Sequence, residues 1–125
     1  MKFIKFITVF AVLFLVGCKG QSKEVKKITT STLETVLKND SEIQLVDVRT
    51  PAEWEKGIIK NAIKIDVTSS NFQNKALKEL DKTKPVYLYC RSGGRSLIAA
   101  ETLLEKGFEV YNIEGGYMQW QQNTK

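Results

Sequence analysis

The stretch from Val86 to Lys106 constrains the chain more than any other. Val86-Tyr87-Leu88-Tyr89 is a short apolar run of β-forming residues. It ends at Cys90, and Arg91-Ser92-Gly93-Gly94-Arg95-Ser96 follows before a helical pattern from Leu97 to Lys106. A strand, a tight glycine-bearing loop and a helix are therefore expected in immediate succession. The glycines let the backbone curl with several N–H groups turned inward. The helix start adds unpaired N–H groups and the positive end of its dipole. A thiolate at the centre of such a cup is stabilised, so its pKa falls and its nucleophilicity at neutral pH rises. The cup also suits an anion, or a sulfur atom carried on the cysteine.

The rest of the chain alternates in the same way. Ser31-Thr32-Leu33-Glu34 reads as a capping box, with Leu33, Val36 and Leu37 as the apolar stripe of the helix it opens. Ile43 to Val48 reads as a buried strand. In Thr50-Pro51-Ala52-Glu53 a capping threonine, a proline at the first helical position and a glutamate mark a second helix start. Trp54 anchors that turn on the core and Gly57 ends it. Ile58-Ile59 and Ala62 to Ile65 suggest another short strand. Ser70 to Gln73 starts a third helix with Phe72, Ala76, Leu77 and Leu80 inward, and Pro85 blocks its extension. After the cysteine loop, Leu97, Ala100 and Leu104 make one helix face, bordered by Ile98, and Gly107 terminates it. Glu109 to Ile113 is a last strand, Glu114-Gly115-Gly116 a turn, and Tyr117 to Gln122 a final helix with Trp120 inward. Such alternation predicts an α/β domain: a parallel sheet of about five strands with helices on both faces. Ligands bind such sheets at the carboxyl ends of strands, where Cys90 stands.

Composition narrows the chemistry. Histidine is absent, which removes Ser-His-Asp and Cys-His catalysis and most zinc sites. A nucleophile here must be activated by dipoles and cations, and neither a metal nor a cofactor is called for. The only arginines are Arg49, Arg91 and Arg95, and two of them flank the cysteine. The formal charge of +5 is scattered, so it reads as a solvated surface rather than a nucleic-acid footprint.

Met1 to Gly17 has the proportions of an export signal: Lys2 and Lys5, then an apolar stretch from Phe6 to Val16 too short to span a membrane comfortably. Leu15-Val16-Gly17-Cys18 resembles the bacterial lipobox. That resemblance implies lipidation of Cys18, a signal peptide over 1–17, a lysine-rich tether over 18–27 and a domain over 28–122. The expected location is the bacterial cell envelope, anchored in a membrane by lipid such as palmitate and facing the periplasm or the exterior. Cys90 is then left without a disulfide partner.

The domain as a whole resembles the single-domain rhodanese family of sulfurtransferases. Asp47-Val48-Arg49, Pro51-Ala52-Glu53-Trp54, Gly57 and Asn61-Ala62 resemble its N-terminal signature, in order. Cys90 to Ser96 resembles its active loop, and Glu114-Gly115-Gly116 with Trp120 its C-terminal signature. Ile58 and Lys60-Asn61 depart from the family at a structural turn. The resemblance implies a rhodanese-like fold and transfer of a sulfane sulfur through a Cys90 persulfide. The donor would be a small anion such as thiosulfate, and the acceptor a thiol or cyanide. Arg91, Ser92, Gly93, Gly94, Arg95 and Ser96 would hold the donor and the persulfide. Asp47 and Arg49 read as an ion pair or loop brace, and Glu53 as a cap. A monomer is expected.

Three alternatives differ in kind. A binding module would use the fold without turnover, and a persulfide or thiol-redox carrier would differ only in donor and acceptor. A cysteine phosphatase or arsenate reductase also cradles an anion above a cysteine. Its loop usually holds one residue more than the four, Arg91 to Gly94, between Cys90 and Arg95.

Overall fold

The computed structural model describes residues 24–125. The expected signal segment and Cys18 lie outside the described residues. Five strands form one parallel sheet: β1 (Lys26–Thr29), β2 (Gln44–Asp47), β3 (Ile63–Lys64), β4 (Val86–Tyr89) and β5 (Val110–Glu114). Their order is β1-β5-β4-β2-β3. Among the described residues five helices connect and follow them: α1 (Thr30–Asn39), α2 (Pro51–Trp54), α3 (Phe72–Glu79), α4 (Gly94–Glu105) and α5 (Gly116–Asn123).

Because all pairings are parallel, the carboxyl ends of β2, β4 and β5 share one edge. Alternation along each strand sends successive side chains to opposite faces. Val46, Leu88 and Val110 meet Phe72 and Ala76 of α3 and Ala99, Ala100 and Leu103 of α4. Leu45, Tyr89 and Ile113 meet Leu33 and Leu37 of α1 and Trp120 of α5. Both faces are covered, which is why these strands read as continuous apolar runs rather than as alternating ones. The α/β architecture agrees with the expectation. Cys90, one residue past β4, falls on the α3–α4 face, whereas Tyr89 and Asp47 face the other side.

Several details differ from the sequence reading. Lys26 and Lys27 belong to β1, in register with Tyr111 and Asn112, so the expected tether ends before them. Thr29, not Ser31, caps α1: its hydroxyl oxygen accepts from the Thr32 N–H at 3.1 Å. The chain leaves β1 and enters the helix without a loop, which moves the cap two residues back. Trp54 is only half-buried and lies under the Lys64 ammonium. Leu77 is 38% exposed and Ile98 60% exposed. The buried face of α4 is Ser96, Ala99, Ala100 and Leu103. The helix is rotated from the expected face because Ser96 is drawn under the cysteine.

Candidate active site

The cysteine loop takes its shape from its glycines. Gly93 adopts φ +120°, a conformation costly for any residue with a Cβ, and α4 begins at the next residue. This turn brings the Gly93 N–H to 3.0 Å from Cys90 Sγ. The Ser96 hydroxyl stands 3.4 Å from the same sulfur. Cys90 is 2% exposed. Burial pushes the thiol up, but hydrogen bonds from the Ser96 side chain and from the Ser96, Gly93 and Ser92 backbones outweigh it. The thiol consequently lies below its ordinary value. Of the inward N–H groups expected from the sequence, that of Gly93 makes a direct hydrogen bond to Sγ, and the Ser96 hydroxyl stands beside it.

Arg95 projects from the first turn of α4 and is gripped by Glu53. Its two terminal nitrogens donate to the two carboxylate oxygens at 2.7 and 2.9 Å. Glu53 also accepts from the Thr50 N–H and hydroxyl, so it is both the cap of α2 and the anchor of Arg95. The Arg95 guanidinium holds the Glu53 carboxyl down at about 2. The sequence reading recognised only the cap, since the two residues lie 42 positions apart. Arg91 and Ser92 are exposed at the rim, and Gly94 opens α4 with free space around it.

Asp47 and Arg49 form the ion pair expected for them, on the opposite side of the sheet from the sulfur. Arg49 Nη2 donates to Asp47 Oδ2 at 2.6 Å and to the Gly57 carbonyl at 2.8 Å. Both side chains are almost fully buried. Burial works against the Arg49 charge, and the Asp47 carboxylate more than restores it. The guanidinium carbon lies 4.2 Å from the centre of the Tyr117 ring and 5.7 Å from that of Tyr89. Tyr89 accepts the Ile59 N–H at 2.9 Å, and burial beside Asp47 keeps its hydroxyl protonated.

Asn112, Tyr117 and Met118 reach the site although the sequence reading does not place them there, and Gly116 does more than make a turn. The start of α5 closes over the loop: Tyr117 N–H donates to the Cys90 carbonyl at 2.8 Å and Met118 N–H to the Arg91 carbonyl at 3.0 Å. Gly116 makes this approach possible, because a Cβ there would fall 2.5 Å from the Cys90 oxygen. Asn112, on β5, accepts from the Ser96 hydroxyl at 2.5 Å and donates to the Gly93 carbonyl at 3.2 Å. An asparagine inside a buried strand was a visible signal, since such a group needs partners. The sequence marks Gly116 as a turn residue and as part of the C-terminal signature, and not as a contact of the cysteine loop.

A strand end, a buried thiol held by loop amides and a cap of paired glycines meet at one edge of a parallel sheet. The family model for the rhodanese-like domain matches residues 29–123. The chain belongs to the rhodanese-like domain family. Over 102 residues it is 38% identical to a Bacillus subtilis protein named "Putative sulfurtransferase YtwF", covering 82% of this chain and 96% of that one. It is 36% identical over 88 residues to the tRNA uridine(34) hydroxylase of Pelagibacter ubique, covering 70% of this chain and 29% of that protein. A crystal structure of a rhodanese-like domain protein from Staphylococcus aureus superposes with a TM-score of 0.71 at 34% identity, over 77% of this chain and 91% of that one. In this rhodanese-like domain Cys90 is the one cysteine among the described residues, and it is free.

Proposed function

We propose that the domain is a sulfurtransferase in which Cys90 accepts and passes on a sulfane sulfur. The observation that carries this reading is the amide cup around Cys90 Sγ, with the Gly93 N–H at 3.0 Å. The Cys90 thiolate attacks the outer sulfur of a donor such as thiosulfate. A bond forms between Sγ and that sulfur, the bond to the sulfonate sulfur breaks, and its electron pair leaves with sulfite. The product is a Cys90 persulfide whose terminal sulfur bears the negative charge. Loop N–H groups and the start of α4 stabilise that charge without any proton transfer. Sulfite is a stable anion, so its departure needs no general acid. An acceptor thiolate then attacks the terminal sulfur, takes it as its own persulfide and releases the Cys90 thiolate. The name of the 38% identical relative supports this class of reaction.

Phosphatase chemistry fits the geometry less well. Only four residues separate Cys90 from Arg95, and both arms of the Arg95 fork are held by Glu53. The carboxylate of Asp47 is buried against Arg49 and is not placed to protonate a leaving group. The lipobox-like Leu15 to Cys18 supports anchorage of the domain at a bacterial membrane through Cys18. Incorporation of a lipid label that Cys18→Ser abolishes is the expected result, and a label that survives this change contradicts it.

The test of the main reading is turnover. Thiosulfate and cyanide should yield thiocyanate with the native protein and none with Cys90→Ser. Equal rates in the two proteins would overturn the assignment. A folded native protein inactive with thiosulfate, mercaptopyruvate and polysulfide alike would place a binding module ahead of an enzyme.

A further inference from the structure

The Ser96 hydroxyl has three neighbours that can accept its single proton: Asn112 Oδ1 at 2.5 Å, the Gly93 carbonyl at 3.2 Å and Cys90 Sγ at 3.4 Å. The orientation of Asn112 decides among them. Its Nδ2 faces the Gly93 carbonyl at 3.2 Å, and a carbonyl oxygen can only accept. Turning the amide round would set two acceptors against each other. Oδ1 therefore faces Ser96, and Oδ1 too can only accept, so the Ser96 proton points at Asn112. The Ser96 oxygen is then left with its lone pairs toward sulfur, an arrangement suited to the neutral thiol. The Ser96 hydrogen bond that helps hold the thiol below its ordinary value therefore forms only when this proton swings from Asn112 to Sγ as the thiol ionises. All of this takes place out of water, since Ser96 is 0% and Asn112 5% exposed.

We propose that Asn112 is a positioning residue for Cys90, competing with the sulfur for the Ser96 proton and thereby setting what fraction of the thiol is ionised. The amides of the loop favour the thiolate, and Asn112 restrains that preference through Ser96. The remaining titratable and charged groups around the site are Arg91 in the loop, Arg95 on α4, Glu53 on α2, Asp47 and Arg49 at the end of β2, Tyr89 on β4 and Tyr117 on α5. None of them hydrogen-bonds to the Asn112 side chain, whose partners are Ser96 and the Gly93 carbonyl. The inference rests on the sulfur-transfer reading only for its effect on turnover, because the ionisation of Cys90 is measurable without a donor.

The experiment is the pH dependence of Cys90 alkylation by iodoacetamide, read on the purified chain from the mass of the peptide that carries Cys90. Asn112→Ala and the closer-fitting Asn112→Leu both remove Oδ1 and leave the Ser96 proton to the Gly93 carbonyl or to sulfur, of which the charged thiolate is the stronger acceptor. A charge-assisted hydrogen bond gained in this way should lower the alkylation midpoint by about one pH unit. In a Ser96→Ala background the same changes should move it by less than about a third of a unit, since no proton remains to be redirected. A midpoint that rises or stays in place in the Asn112 variants overturns the proposal. So does an equal fall with and without Ser96, which would mark a merely structural effect. A wild-type midpoint with sulfur uptake from thiosulfate intact would sink this inference and leave the transfer reading standing. The expected shift without uptake from any donor would do the reverse.

Discussion

Gly116→Ala should cripple the site from a position outside the cysteine loop. The alanine Cβ would lie 2.5 Å from the Cys90 carbonyl oxygen and 2.6 Å from the Arg91 carbonyl carbon and oxygen. All three are backbone atoms, so no side chain can swing away to relieve the clash. Ordinary contact begins near 3.4 Å, so α5 and the loop must part by about 1 Å. That separation breaks the hydrogen bonds from the Tyr117 and Met118 N–H groups to the loop carbonyls, each worth about 1 kcal/mol. Alanine at φ +56° adds about 1 kcal/mol of backbone strain. The combined loss, about 3 kcal/mol, should lower Tm by more than roughly 10 °C in a domain of this size. Gly94→Ala is the matched control. Nothing lies within 4 Å of its would-be Cβ, and its place at the start of a helix should make it neutral or stabilising by up to about 1 kcal/mol. Thermal unfolding of the two variants, with Cys90 alkylation rates beside it, decides the matter. A Gly116→Ala protein as stable as the native one would refute the close approach of α5 to the loop.

Three further outcomes follow from the same geometry. Asp47→Asn, or Arg49→Met, strands a buried charge and should cost about 3 kcal/mol or more by urea unfolding, whereas replacing both with apolar residues should cost less than either alone. Glu53 is held at about 2 in the folded protein against 4.5 as its ordinary value. Its contribution is therefore fully present above pH 4.5 and is lost as pH falls toward 2. The pair is partly solvated, so this contribution is about 1 kcal/mol. Urea midpoints of the native and Glu53→Gln proteins should differ at pH 7 and converge at the acid end, and a constant gap would contradict the assignment. Cys90 alkylation should titrate below the range of a free thiol, about 8.5, and a midpoint at or above that value would show that burial outweighs the amide cup.

The parallel sheet and the placement of Cys90 were legible because each rests on local pattern. Val86 to Tyr89 is apolar throughout, and Gly93 stands where a positive φ is needed. The Asp47–Arg49 pair was legible for the same reason, being two residues apart at a strand end. What escaped notice depends on distant parts of the chain meeting. Lys26-Lys27-Ile28-Thr29 does not read as a buried strand because β1 is an edge strand, and lysines are at home there. The second role of Glu53 exists only once α2 and the cysteine loop share an edge. Asn112 and Tyr117 reach the site from β5 and α5, outside the quoted motifs, and the Glu114-Gly115-Gly116 motif marks a turn without showing that the turn lies on the cysteine loop. Ile98 illustrates the opposite error. Its apolar character suggested the margin of the buried face, but Ser96 sets the rotation of α4 through its contacts with Cys90 and Asn112, and Ile98 is turned to solvent.

The central claim is that Cys90 is a sulfur-accepting nucleophile held in an amide cup. Intact mass spectrometry after incubation with thiosulfate tests it most directly. The native protein should gain one sulfur atom that cyanide removes, peptide mapping should place that atom on Cys90, and Cys90→Ser should gain none there. A native protein whose Cys90 stays reduced, free and unloaded with thiosulfate, mercaptopyruvate and polysulfide would contradict the claim.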